Sequence, residues 1–262
     1  MASFDIVGDI AIIEVGSEED EKGVVESILE KHPHLKTICC KAGEREGELR
    51  LRKIKILFTK DKEKPTETIH KEYGCLFKVD VSKVYFSPRE GTERQRVARQ
   101  VKPGETVLVM FAGVGPYAII IAKVQPEVKR VYAVEVNKVG VKYMKENVDM
   151  NRMRYKVIPI EGDVARDVKQ FHGVCDRVVM PLPKGAHRFL QEAIRCCKDE
   201  GIIHFYHWGP LEDLYGGALE IIEGECKRAG VGYEVLDKRR VLPYAPRVYK
   251  VCIDFKVKRC KA

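Results

Sequence analysis

No two cysteines in this 262-residue chain stand in a Cys-x-x-Cys spacing. The nine cysteines are two adjacent pairs, Cys39-Cys40 and Cys196-Cys197, and scattered singles. A zinc framework is therefore unsupported, no metal site is expected, and the odd number excludes complete internal pairing. Reduced thiols in an intracellular, cytoplasmic protein are the expectation. The N-terminus lacks a charged segment followed by a long apolar run, so no signal peptide is read. Nowhere do about 20 apolar residues follow one another, so no membrane span is expected. Internal repeats and low-complexity tracts are missing too. Acidic residues fall short of basic ones, 39 against 47, which leaves a net charge of +8 and a pI near 8.9. That balance suits a polyanionic partner, nucleic acid first and anionic membrane second, and on charge alone a merely lysine-rich surface accounts for it equally well.

What is present divides near residue 80. Residues 4–15 (FDIVGDIAIIEV) read as a strand, 18–32 as an amphipathic helix with acidic residues in its first turn, and TICC as another strand. LRLRKIKILF alternates apolar and basic residues, which buries one face and leaves the other positive. HKEYGCLFKVDVSKVYF reads as two strands around Tyr73-Gly74. Residues 1–80 are thus a small β-rich unit with one helix, an α+β arrangement. From 81 to 262 strands and helices alternate: a basic helix GTERQRVARQV, then ETVLVMFAG, VGPYAIIIAKV, RVYAVEV, NKVGVKYMKENVDMN, YKVIPIEGDV, DRVVM, HRFLQEAIRCC and GIIHFYHW. YEVLDKRRVLPY and VYKVCIDFKVK close the chain as an antiparallel pair. This alternation predicts an α/β fold, a parallel sheet wrapped by helices.

In such sheets ligands bind beyond the carboxyl ends of the strands. The first end is Phe111-Ala112-Gly113-Val114-Gly115. Its glycines permit a tight turn and close backbone approach, and a helix N-terminus follows. An ordinary structural turn accounts for the glycines equally well. Glu135, at the end of RVYAVEV, suits the two hydroxyls of a ribose. Asp163 suits an adenine amino group or, alternatively, the cap of the next helix. Pro181-Leu182-Pro183 ends the strand DRVVM abruptly. Prolines carry no N–H, so this corner presents fixed carbonyls to a planar base or simply starts a helix. Taken together, the ends describe a site for an adenosine compound. The turn lacks the third glycine of a dinucleotide fingerprint, which makes S-adenosyl-L-methionine a better fit than NAD.

The stretches VGDIAIIEV, IHKEYG, FKVDVSKVYFSPREGTERQRVA, MFAGVGPYAI, PLPKGAHRFLQEA, GIIHFY and YAPRVYKVCIDFKV carry a resemblance spanning nearly the whole chain. The sequence resembles the archaeal and eukaryotic-type tRNA (guanine-37-N1)-methyltransferases and their relatives in wyosine synthesis. The resemblance implies a Rossmann-like class I methyltransferase domain that uses S-adenosyl-L-methionine, behind a small N-terminal α+β domain. It implies the anticodon loop of tRNA, position 37, as partner and a monomeric enzyme. Glu93 takes the family role of general base, removing the guanine N1 proton; an ion pair on the helix surface is the bland alternative. Arg50 or Arg52 steadies the target base. Tyr85 lies on the cofactor side with Phe111, Ala112, Gly113, Gly115, Glu135, Asp163 and Pro181. Arg89, Arg94 and Lys184 lie on the RNA side, and Pro181 and Pro183 frame the base. Basic stretches from LRLRKIK to KRR would hold phosphates.

Two departures qualify this. Family members often carry Asn-Leu-Pro where this chain has Pro181-Leu182-Pro183, which leaves methylation of carbon 7 of the tricyclic wyosine precursor as an alternative. Aminocarboxypropyl transfer ranks lower. Many members also carry a further N-terminal domain that reads the outer corner of tRNA, whereas this sequence begins at the β-rich unit; weaker checking of the tRNA is the expectation. A catalytically inactive RNA-binding module is a reading of another class, against which Glu93 and the intact glycine turn argue. A methyltransferase for a protein or small molecule is a third.

Overall fold

A computed structural model describes residues 4–14, 21–46 and 51–259. The first strand expected is instead a hairpin. β1 (Phe4–Val7) and β2 (Ile10–Ile13) run antiparallel around Gly8, whose φ of 58° makes the reversal. β2 then pairs in parallel with β3 (Thr37–Glu46), and β3 antiparallel with β4 (Leu51–Thr59). Helix α1 (Glu21–Lys31) covers this sheet, with Ile28 packed among Ala11, Ile13, Leu35 and Ile38. β5 (Glu67–Glu72) and β6 (Cys75–Asp80) form the expected hairpin at Tyr73-Gly74, where both residues have positive φ.

The main sheet holds β7 (Thr106–Met110), β8 (Arg130–Glu135), β9 (Val157–Glu161), β10 (Cys175–Met180), β11 (Cys197–Pro210), β12 (Val231–Ala245) and β13 (Val248–Arg259). Their spatial order is β12-β13-β11-β10-β7-β8-β9. The strands from β7 to β11 are parallel, and β13 and β12 close the sheet antiparallel. Along β7 the side chains alternate between two cores: Val107 and Val109 face one, Leu108 and Met110 the other. Helices α2 (Gly91–Gln100), α3 (Pro116–Val124) and α4 (Lys138–Met150) cover the first face. The second is covered by α5 (Val164–Asp167), α6 (Leu190–Cys196) and α7 (Gly216–Ala229). The hairpin β5–β6 adds Cys75, Phe77 and Val79 to the first core, and Asn147 of α4 is bonded to the Lys78 backbone at both N–H and C=O.

Sequence direction reverses between β10 and β7: the chain builds outward through β8 and β9 on one side, and through β11 on the other. That is where an open α/β sheet leaves a crevice for a ligand. Every cysteine among the described residues is buried and unpaired. Among these residues no helix is long and apolar enough to cross a membrane.

Candidate active site

A cavity opens at the switch point. Its walls include Tyr85, Phe111, Gly113, Glu135, Asn137 and Gly140, with Pro181 and Leu182 beside them. The glycine turn is made by backbone: Phe111, Gly113 and Gly115 have φ of 55°, 57° and 86°. For a bulky residue such as Phe111 this is a strained conformation, which its ring offsets by packing edge-on to Phe189 at 5.2 Å. A Cβ on Gly115 would stand 2.8 Å from Met144 Cγ, so that glycine serves helix packing and does not line the cavity. Ala112 is buried behind the wall. Glu135 fastens the turn, accepting from the Gly113 N–H at 2.7 Å and the Asn137 N–H at 2.8 Å. Burial pushes its carboxyl above the usual range, against the pull of those N–H groups. A cavity edged by exposed backbone, a carboxylate and an apolar rim has the chemistry to hold an amino-acid-bearing nucleoside.

Asp163 does not join this group. Its side chain caps α5, accepting from the Ala165 N–H at 2.9 Å, and it is not among the cavity walls. The helix-cap alternative is the one the structure displays. Pro181 is a wall; Pro183 is buried behind the corner, and Lys184 is exposed just beyond it.

A buried polar cluster, of which the sequence singled out Glu93 alone, stands outside the cavity walls and reaches Pro181 through Tyr206 and Lys250. Glu93, 6% exposed, is gripped by Arg96 through Nε at 2.8 Å and Nη2 at 2.7 Å, and accepts from the Tyr206 hydroxyl at 2.5 Å. It thus forms an ion pair with Arg96, but inside the molecule. Arg96 also donates to Asp254 at 2.5 Å, and Asp254 accepts from His204 Nδ1 at 2.7 Å. His204 Nε2 lies 2.8 Å from Arg177 Nη1. A guanidinium only donates, so Nε2 accepts and the ring carries its proton on Nδ1. Burial pushes the Asp254 carboxyl up, but His204 and Arg96 outweigh it and leave it well below the usual range. His204, Cys252 and Asp254 are close enough to surround a cation. Two guanidiniums already fill the charge there, which disfavours a metal.

Glu90 is a second buried carboxylate. It accepts from the Tyr85 hydroxyl at 2.9 Å and from Lys250 Nζ at 2.9 Å. Burial pushes its carboxyl up, while Lys250 and Arg94 pull it below the ordinary value. A signal for these residues did exist. In VYKVCIDFKV, Lys250 and Asp254 interrupt a strand apolar on both faces, and a charge in such a strand needs a buried partner.

One expectation is corrected. Arg94 is 2% exposed; it donates to Glu72 at 2.9 and 2.5 Å and to the Ser87 carbonyl at 2.9 Å, with its guanidinium over the Phe86 ring. It cannot meet a phosphate from there. The basic helix α2 turns Arg94 and Arg96 inward because Glu72 and Asp254 wait for them. Arg89 is exposed and paired with Asp5 of β1. Arg52 stands in β4 opposite Arg45, and Arg50 lies outside the described residues. Lys238, Arg239 and Arg240 form an exposed basic stretch on β12.

Against known families, residues 68–236 match the TRM5/TYW2 methyltransferase domain. The tRNA (guanine(37)-N(1))-methyltransferase Trm5b of Pyrococcus abyssi is 45% identical over 97% of this chain and 74% of its own. A tRNA(Phe) (4-demethylwyosine(37)-C(7)) aminocarboxypropyltransferase of Methanocaldococcus jannaschii is 37% identical over 97% of each. The solved complex of aTrm5 with tRNALeu superposes with a TM-score of 0.84 at 38% identity, over 97% of this chain and 71% of that one. The M. jannaschii TYW2 structure with AdoMet gives 0.74 at 31% identity, over 98% and 100%.

Proposed function

The chain belongs to the TRM5/TYW2 methyltransferase family, and we propose that it transfers the methyl group of S-adenosyl-L-methionine to N1 of guanosine 37 in tRNA. The observation that carries this reading is the joint placement of the glycine-turn cavity and the buried Glu93 cluster. Gly113, Glu135 and Tyr85 would hold the cofactor, which supplies an activated methyl on sulfonium when bound. The Glu93 carboxylate keeps lone-pair capacity beyond its three present bonds. It would take the proton from guanine N1 as that nitrogen attacks the methyl carbon. Pro181 has no N–H of its own, and its carbonyl at the cavity wall would accept from a planar base held beside the cofactor. A base paired or stacked in the loop cannot reach such a recess, so the target nucleotide would be flipped out.

Residues 1–80 we read as the unit that meets RNA near the target base, and 81–262 as the cofactor-holding body. Arg89, Lys184 and the stretch Lys238–Arg240 are exposed cations that would meet phosphates, Arg89 by exchanging its Asp5 partner. Binding should then weaken steeply with salt.

The test is nucleoside mass spectrometry after incubation with the cofactor and two tRNAs, one with guanosine at position 37 and one with the tricyclic wyosine precursor there. N1-methylguanosine on the first is the expected product. A methyl on the tricycle alone, or an aminocarboxypropyl adduct, would overturn the assignment and place the chain in the wyosine branch.

A further inference from the structure

Most buried charges of the main body lie away from the cavity. Arg177, Glu105, His204 and Asp254 form a chain that reaches Glu93 only through Arg96. Lys250 is different. It sits on β13, 2% exposed, between Tyr249 and the apolar run Val251, Cys252 and Ile253. Its Nζ donates to Glu90 at 2.9 Å, stands 3.5 Å from the Pro181 carbonyl and lies 4.7 Å above the Tyr206 ring. The carboxylate oxygen it meets also accepts from the Tyr85 hydroxyl. Tyr85 and Pro181 are both walls of the cavity, and the Tyr206 hydroxyl is bonded to Glu93. One ammonium therefore touches the carboxylate behind one wall, the carbonyl of another and the ring that steadies Glu93.

Stability does not call for this arrangement. Withdrawing two charges from water costs about as much as their attraction returns, and an apolar pair of similar volume often serves as well. Geometry does call for it. The Leu182 N–H, which shares a peptide plane with the Pro181 carbonyl, turns back to the Met180 carbonyl at 2.8 Å, and the donor that reaches the Pro181 carbonyl itself is the Lys250 ammonium. We propose that Glu90 and Lys250 are positioning residues for methyl transfer, an ion pair that fixes the Tyr85 side chain and the Pro181 carbonyl relative to Glu93. This rests on the reading of Tyr85, Pro181 and Glu93 as parts of one transfer site. The pair touches neither substrate directly. It sets where the cofactor wall and the corner stand when the base arrives.

Three variants test it: Lys250→Met, Glu90→Gln and the two together. Each is measured for thermal midpoint, for S-adenosyl-L-methionine affinity by calorimetry, and for single-turnover methyl transfer to a guanosine-37 transcript. Each single variant should lower the midpoint, because one charge is left buried alone. The double variant should regain most of the midpoint yet remain at least about tenfold down in cofactor affinity or transfer rate, the scale of one charged hydrogen bond. Where a single variant fails to fold, the double variant decides. A double variant that regains both midpoint and transfer rate would overturn the proposal and leave the pair purely structural. So would single variants that lose midpoint alone. If the wild-type protein bound cofactor but methylated no RNA, the functional reading would fail while cofactor affinity still judged the pair.

Discussion

The glycine turn reaches its cavity with the backbone of residues 111–115, while Glu93 is held by Tyr206, 113 positions away, and by Arg96, which is anchored 158 positions away at Asp254. The first construction is local. A left-handed turn between a strand and a helix needs only the right residues in a row. The second depends on the finished sheet, since α2, β11 and β13 must all be in register before the carboxylate has its partners. A locally built wall can bind a ligand wherever such a turn occurs. A carboxylate whose partners come from distant strands has its environment only in the complete fold, and that environment is sensitive to changes far along the chain.

Arg94 tests which construction α2 serves. Arg94→Met leaves Glu72 buried without its guanidinium, at a cost of about 3–5 kcal/mol, or a fall in thermal midpoint on the order of 10 °C. An unchanged midpoint with weakened RNA binding would return Arg94 to the surface. A smaller effect is expected on the local side. Gly113→Val places a β-branched residue at a φ of 57°, facing the Tyr85 carbonyl at 3.6 Å, with left-handed strain of about 1–2 kcal/mol. Cofactor affinity, read by calorimetry, should fall at least about tenfold; normal affinity would remove the turn from the site.

The smallest effect concerns pH. His70, His204 and His207 are all held below their ordinary value of 6.5, with burial the largest cause. As pH falls below 6.5, the unfolded chain takes up protons that these buried rings refuse, so stability declines. The thermal midpoint should therefore drop between pH 7 and pH 5, and a flat profile across that range would contradict the buried neutral state of His204.

What was legible in the sequence follows the same division. Alternating strands and helices, the glycine turn and the placement of Glu135 could all be read, because each is set by neighbours in the chain. The hairpin at Gly8 is hidden in the sequence because its two strands have only four residues each, so that the segment reads as one strand interrupted at Gly8-Asp9. Arg94 reads as a surface cation because nothing near it in sequence reveals Glu72, 22 positions earlier and on another element. Glu90 and Lys250 escaped for that reason also, being 160 positions apart. Asp163 was ambiguous from the start, since a carboxylate after a strand serves a cap as well as a ligand.

The most direct measurement is single-turnover methyl transfer by Glu93→Gln, saturated with S-adenosyl-L-methionine and given a guanosine-37 transcript. Cofactor affinity should be unchanged and the rate lower by roughly 100-fold or more, the scale of a lost general base. A wild-type rate would mean that another group takes the N1 proton, and Glu93 would then be only the anchor of a buried network.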